Sequence, residues 1–473
     1  MRAPRRWILR GLIVVTILVL SFVGQYLWRL ALIATAYKAK VLCSGVFVSK
    51  RDPQSILNSD LLADDLSIFR HSNTAIDYKS QSVTASFVGL AQRKAIYRPG
   101  LGCTLVIDTS EKQLRSHTSP WQSAPISNRQ HRLWPVGKRI QKDALPPEID
   151  SEKLNGALDE AFSEPDPHRL GRTRAVVVVY NGRIIAERYA AGFSHDTPLI
   201  GWSMTKSVMN ALVGILVRQG KVSLQDNALV PEWCEPGDPR RRITLDQLLR
   251  MTSGLRFAED YTNPLKDAIY MLLGTGNASA FAINKPLETE PGSKWYYSSG
   301  TSNIIARILR DAVGGSDTNY FAFPHRELFN RIGMHSAIIE PDAAGIFVGS
   351  SFMYATARDW ARFGLLYLQD GVWSGERILP EDWVEYTLKP TREAPNEEYG
   401  AHFWLKIPQN FYAGIDQISS LPVDTYFALG VEGQAITIIP SRELVVVRLG
   451  LTRLPGAWNQ ELFIARILDA ITE

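Results

Sequence analysis

The sequence is short of most features that would point to a metal, a redox centre or a nucleic acid. It has only three cysteines in 473 residues, Cys43, Cys103 and Cys234. None forms a Cys-x-x-Cys pair. The eight histidines (His71, His117, His131, His168, His195, His325, His335 and His402) are scattered rather than clustered. Nothing in that pattern suggests a metal site, and no metal or organic cofactor is expected. There is no charge bias either. The 52 basic and 48 acidic residues leave a net charge of +4, which does not mark the chain as a nucleic-acid binder. Internal repeats and low-complexity tracts are missing. So are the Gly-x-Ser-x-Gly elbow of one hydrolase class and the His-Glu-x-x-His of metalloproteases. What remains is an ordinary globular composition, 45% hydrophobic and 21% charged, in a chain long enough for two or three domains.

The one long apolar run lies at the N-terminus. Arg2, Arg5, Arg6 and Arg10 precede Gly11–Trp28, and the run resumes after Arg29 as Leu30–Ala36. A basic end followed by such a run is an export signal. Cleaved signals have apolar cores of about 7–15 residues, whereas spanning helices need about 20. The length favours an uncleaved anchor over residues 1–36, with its basic end in the cytoplasm. Cleavage after Ala34-Thr35-Ala36 is the competing reading, and either one places the bulk of the chain outside the cytoplasm. Export permits a disulfide. Cys43–Cys103 is the expected pair because both lie in one segment, with three buried thiols as the alternative.

Residues 37–110 read as a small strand-rich module, with strands expected at Ser82–Leu90, Ala95–Tyr97 and Cys103–Asp108. Residues 111–164 read as a linker that ends in an amphipathic helix over Ser151–Ser163. The main domain is expected over 165–473. Its strands Ala175–Tyr180 and Arg183–Tyr189 flank the hairpin turn Asn181-Gly182. Helical stretches come next at Thr244–Met251, Pro264–Leu273, Ser302–Val313 and Ala355–Leu368. Strands return at Ala435–Ile439 and Leu444–Leu449, before a last helix at Asn459–Ile471. The expected fold class is α/β (α+β): an antiparallel sheet built from both ends of the domain, with a helical insertion between them.

Chemistry enters at Gly201-Trp202-Ser203-Met204-Thr205-Lys206-Ser207. Val208, Leu212, Ile215 and Leu216 recur at helical spacing, and Gly220 sits where a helix would stop. Residues three apart share a helix face, so the Lys206 amine lies beside the Ser203 hydroxyl. A serine hydroxyl needs such a base to become a nucleophile. Burial lowers a lysine pKa, and the helix N-terminus favours an oxyanion over an ammonium. A bare Ser-x-x-Lys is usually an ordinary surface pair, so its weight depends on the residues further along the chain. The second element is Pro291-Gly292-Ser293-Lys294-Trp295-Tyr296-Tyr297-Ser298-Ser299-Gly300. Tyr297 is its candidate proton-transfer group, on the expectation that a nearby lysine makes the phenol easier to ionise. The third is Phe427-Ala428-Leu429-Gly430-Val431-Glu432-Gly433-Gln434, where glycines let a backbone approach a ligand closely. His402 is read as packing near the pocket.

These three elements, in this order, resemble the serine β-lactamase and penicillin-binding-protein superfamily. The class C-like branch of esterases, D-amino-acid peptidases and 6-aminohexanoate-dimer hydrolase fits best. Ile243–Leu255 and Ala355–Gly364 also resemble that branch, and the likeness covers about residues 165–473. It implies Ser203 as nucleophile, with Lys206 and Tyr297 as the proton-transfer pair. It also implies an oxyanion hole from the backbone N–H groups of Ser203 and Val431. Ser299, Gly430 and Trp295 are the expected substrate-binding positions. The sequence departs from the family pattern twice: Ser299 replaces the Asn of Tyr-x-Asn, and Ala428 replaces the Lys or His that opens the third motif. That cation helps to hold a carboxylate in β-lactamases, so its absence argues against efficient β-lactam hydrolysis. The expected function is an extracytoplasmic serine hydrolase acting on a small ester, amide or peptide-like substrate. It would be held in the bacterial inner membrane by the N-terminal helix, with the catalytic domain in the periplasm. The alternative is a penicillin-binding cell-wall sensor that acylates without turnover. The substrate-choosing loops are expected at Phe257–Leu265 and Pro408–Val423.

Overall fold

The computed structural model describes residues 3–61, 71–120, 131–141, 144–227, 229–408 and 421–472. Most of the expected Pro408–Val423 loop lies outside the described residues.

Helix α1 (Ala3–Cys43) is 41 residues long and runs on into a π-helical turn at Ser44–Val48. Its side chains are exposed from Arg10 to Arg29. From Ile33 onward it enters the protein. Ile33, Ala36, Ala39, Leu42 and Cys43 are buried in the main core. The three-residue spacing from Ile33 to Leu42 is one helix face. The boundary expected at residue 36 therefore falls inside a continuous helix. Small alanines carry this stripe, so a reading guided by bulky apolar residues stops too early.

Four strands come next: β1 (Ser72–Asp77), β2 (Ser82–Phe87), β3 (Ala91–Arg98) and β4 (Gly102–Leu105). They form an antiparallel meander that packs on α1. Cys43 and Cys103 form a disulfide, and Cys234 is exposed elsewhere. The meander is tied to the rest of the chain by a buried carboxylate. Glu340 pairs with Lys40, and its Oε1 accepts from Ser44 Oγ at 2.8 Å and from Cys103 N at 2.6 Å. A buried ion pair is tolerated only when further hydrogen bonds complete it. Here those bonds join the N-terminal module to the main domain.

The segment expected as a linker is also built in. Trp134 is buried beneath the Arg362 guanidinium, 5.5 Å from its ring centroid. Helix α2 (Ser151–Phe162) buries Leu154, Ala157, Leu158 and Ala161.

The main sheet begins with β5 (Thr173–Tyr180) and β6 (Arg183–Tyr189). Asn181 and Gly182 have φ of 48° and 70°, the left-handed pair that this two-residue turn requires. The helical part includes α3 (Met204–Arg218), α4 (Ser299–Ala312) and α5 (Ala357–Leu368). Helix α4 starts three residues before the expected Ser302, because the Ser298 hydroxyl caps the Thr301 amide. The chain then returns to the sheet with β7 (Tyr426–Gly430), β8 (Gln434–Ile439) and β9 (Leu444–Gly450), and ends on α6 (Gln460–Asp469).

The antiparallel order is β7-β8-β9-β5-β6, so both ends of the domain share one sheet. Alternate residues point to opposite faces. Val177, Val179, Val445 and Val447 join the main core, and Val176, Val178 and Val446 join a second core that includes residues of α2 and α6. Helix α5 crosses the first face. A Cβ at Gly364 would lie 2.6 Å from a Val445 methyl, so the close crossing depends on that glycine.

Candidate active site

Ser203 stands at the N-cap of α3 and is 9% exposed. The residue before it, Trp202, has φ of 47°, so the chain turns sharply to present the serine. Lys206 lies one turn along, fully buried. Its Nζ donates to Ser203 Oγ at 3.0 Å, Ser299 Oγ at 3.1 Å and the Ser350 carbonyl at 3.0 Å. Burial pulls its pKa down to about 8, opposed by the negative charge of Glu259.

Tyr297 completes the group. Its side chain hydrogen-bonds Ser203, and the Lys206 ammonium position is 4.9 Å from its ring centroid. The phenol differs from the sequence expectation. Its pKa is pushed well up, first by burial and further by Glu259, with the Ser203 hydrogen bond opposing. Desolvation of the phenolate outweighs the nearby lysine. Tyr297 therefore stays protonated and can pass a proton on, while Lys206 is the group poised to accept one.

The end of β7 closes the site. A Cβ at Gly430 would lie 2.2 Å from the Gly201 carbonyl and 3.2 Å from the Ser203 amide nitrogen. Only hydrogen fits there, and its small size brings the strand end, with Val431 directly after it, against the nucleophile turn. Gly430→Ala is expected to lower kcat/KM about 100-fold, the scale of losing one oxyanion donor. Circular dichroism should remain unchanged. Kinetics within a factor of two of wild type would remove the proposed role of this contact.

Trp295 lies in an aromatic wall with Tyr297, Tyr399 and Trp404, with centroids 4.8–6.5 Å apart. Ala428 is buried in the main core and brings no cation to the cleft. Ser299 is occupied by protein: it accepts from Lys206 and donates to Glu259 Oε1 at 2.6 Å.

Sequence reasoning missed three contributors, Glu259, Ser350 and Asn303. Glu259 also accepts from the Ser299 amide at 2.8 Å and from the Tyr261 hydroxyl at 2.5 Å. Ser350 offers its carbonyl to Lys206, and its hydroxyl accepts from buried Asn303 at 3.1 Å. None has a motif. The only hint was that Glu259 and Tyr261 fall within Phe257–Leu265, a loop read as substrate-facing. His402 sits behind Lys206. Its Nδ1 is 2.9 Å from the Lys206 carbonyl, and burial pulls its pKa down to about 3, so it is a neutral packing and hydrogen-bonding group.

Residues 168–457 match the family model described as Beta-lactamase. The chain belongs to the beta-lactamase family. Relatives of this beta-lactamase-family chain are hydrolases. It is 26% identical over 378 residues to the 6-aminohexanoate-dimer hydrolase of Paenarthrobacter ureafaciens, covering 74% of this chain and 94% of that protein. Among solved structures, a putative 6-aminohexanoate-dimer hydrolase from Bacillus anthracis superposes with a TM-score of 0.51 at 23% identity, over 67% of this chain and 81% of that one. A putative beta-lactamase from Bacteroides dorei DSM 17855 superposes with a TM-score of 0.53 at 16% identity, over 68% of this chain and 99% of that one. Likenesses this remote establish the fold. The order of motifs around Ser203, Tyr297 and Gly430 therefore sits in a beta-lactamase-family architecture.

Proposed function

We propose that the protein is a membrane-anchored serine hydrolase that cleaves an ester or amide through an acyl-enzyme. The observation that carries this reading is the 3.0 Å contact between a buried lysine amine and the Ser203 hydroxyl. Ser203 Oγ attacks the substrate carbonyl and its proton passes to neutral Lys206. The carbonyl π electrons move to oxygen, where the amides of Ser203 and Val431 stabilise the charge. Collapse of the tetrahedral intermediate breaks the bond to the leaving group, which takes the proton through Tyr297. Water then repeats the attack on the acyl-serine, with Lys206 again the base, and frees the acid.

The absence of a cation at Ala428 and the aromatic wall around Trp295 support substrates without a required carboxylate. The name of the Paenarthrobacter relative makes linear amides the first substrates to try. The anchor is supported by α1, which is long and apolar enough to cross a membrane. Cleavage after Ala36 would cut a helix whose next buried turn belongs to the core. That favours retention of α1, with the catalytic domain on the extracytoplasmic side.

The test is fluorophosphonate labelling of the full chain in detergent, with peptide mapping, and then turnover of esters, linear amides and D-amino-acid amides. A single adduct on Ser203 with steady turnover is expected. Labelling at another residue would overturn the reading, and one burst of product without turnover would reassign the chain as an acylating receptor.

The pH dependence has a defined sign. The Lys206 pKa is lowered to about 8, so below that pH the amine is protonated and cannot accept the serine proton. The kcat/KM is expected to rise with pH through about 8 and then level off, with no falling limb from Tyr297 at moderate pH. A profile that is flat between about pH 6 and 10 would remove Lys206 as the base.

A further inference from the structure

The family match begins at residue 168, yet part of the chain before it reaches the two loops that border the nucleophile. One connection runs through Glu432, which comes directly after Val431 and has φ of 64°. Its Oε2 accepts from the indole N–H of Trp202 at 2.8 Å, and Trp202 directly precedes Ser203. Its Oε1 faces Arg453 Nε at 3.5 Å. A single carboxylate thus touches the residue before one proposed oxyanion donor and belongs to the residue after the other.

Arg453 is in turn held by the N-terminal segment. It hydrogen-bonds Tyr37 of α1 and donates to the Asp60 carbonyl. The Asp60 side chain is fixed as well. It pairs with Arg51 at 2.5 Å and with Arg174 at the start of β5. All four groups are largely buried, with side-chain exposures of 7–9% for Arg51, Asp60, Arg174 and Arg453. Charged side chains buried this far hold a fixed geometry because each broken contact leaves an uncompensated charge. A second route from α1 ends at the same place: Lys40 lies 4.4 Å over the Phe352 ring, which packs against Trp202 with centroids 6.1 Å apart.

We propose that Tyr37 and Asp60, acting through Arg453 and Glu432, set the relative position of the two oxyanion-hole loops. The proposal rests on the reading of Ser203 and Val431 as the oxyanion hole. Tyr37, Asp60, Arg453 and Glu432 are positioning residues, because none reaches the reacting atoms. The loop after β7 has other supports. Arg448 donates to the Gly433 carbonyl at 2.8 Å, and Gln434 Nε2 donates to the Val431 carbonyl at 3.3 Å. Those bonds hold the loop to the sheet. The Glu432 carboxylate is what links it to the Trp202 side chain. Loss of Arg453 is therefore expected to loosen the site rather than dismantle it. The anchor helix is then part of the catalytic apparatus as well as a tether.

The experiment uses the full chain in detergent and compares Arg453→Met, Arg453→Lys and Trp202→Phe with wild type and Ser203→Ala. Readouts are the rate of fluorophosphonate inactivation, kcat and KM for p-nitrophenyl acetate, and thermal unfolding. Arg453→Met is expected to lower kcat and the inactivation rate in parallel by about tenfold, with KM within about twofold, at a temperature where the variant is fully folded. Arg453→Lys, which keeps the charge and can bond the Asp60 carbonyl, should restore at least half of the lost rate. Trp202→Phe removes only the indole N–H and should reproduce the kcat loss, so it decides the question should Arg453→Met not fold. Wild-type inactivation rates and kcat in Arg453→Met, or in Trp202→Phe alone, would overturn the proposal while Ser203→Ala is inert. A Ser203→Ala chain that still turned over would instead overturn the underlying assignment of the site.

Discussion

Ser203→Ala is expected to lose about four to six orders of magnitude in kcat/KM and all fluorophosphonate labelling, the scale seen when a covalent nucleophile is removed. The size of the loss comes from the mechanism. Without Oγ no acyl-enzyme forms, and the remaining donors and cleft walls can only polarise a bound carbonyl toward water. The fold should be intact. Ser203 is a small residue at a helix N-cap whose side chain makes no capping hydrogen bond. A melting temperature within about two degrees of wild type is expected, since surface or site substitutions of this kind change stability by about 0.5 kcal/mol. Retention of more than about one thousandth of wild-type activity in a preparation free of native enzyme would place the nucleophile elsewhere.

Lys206→Met should be the next largest effect, with kcat lowered about 1,000- to 10,000-fold. Methionine fills much of the same volume but can neither accept the Ser203 proton nor return it to the leaving group. It also leaves Ser299 Oγ and the Ser350 carbonyl without the Lys206 donor, at a cost of about 1–3 kcal/mol for a buried group left unpaired. Lys206→Arg separates base from cation. A guanidinium keeps the charge beside Ser203 but cannot be deprotonated. It should be nearly as inactive as Lys206→Met. Substantial activity in the arginine variant would mean that Lys206 acts as a positive charge and that another group takes the proton.

The two variants also separate what was legible from what was not. The Ser203–Lys206 spacing could be read because helix geometry is local: three residues bring the side chains to one face, whatever the rest of the chain does. The hairpin at Asn181-Gly182 and the strand pairs at both ends of the domain were legible for similar reasons, through turn chemistry and β-branched runs. Glu259, Ser350 and Asn303 were not. Each reaches the lysine site from a distant part of the chain, and a carboxylate or carbonyl in a loop carries no spacing signal. Tyr297 was found by its motif, but its acidity was misjudged. The attraction of a neighbouring lysine is evident from a few nearby residues. The desolvation that outweighs it depends on everything packed around the phenol.

The N-terminal third shows the same division more sharply. Its apolar run and basic start were plain in the sequence. The boundary at residue 36 was not, because the helix changes environment without changing conformation: the same α1 is exposed as far as Arg29 and joins the core from Ile33. Alanines at 36 and 39 serve both settings, so composition does not mark the transition.

Sequence alone thus determined the family-like order of motifs, the nucleophile helix and the sheet made from both chain ends, because each depends on interactions between near neighbours or on regular hydrophobic alternation. Only the tertiary structure decided which groups hold Lys206, how burial divides the proton-transfer roles between Lys206 and Tyr297, and that α1 reaches the loops beside Ser203. Those outcomes depend on desolvation and on contacts between segments hundreds of residues apart, such as the bond from Arg453 to Asp60. Free energies of that kind exist only once the chain has closed on itself.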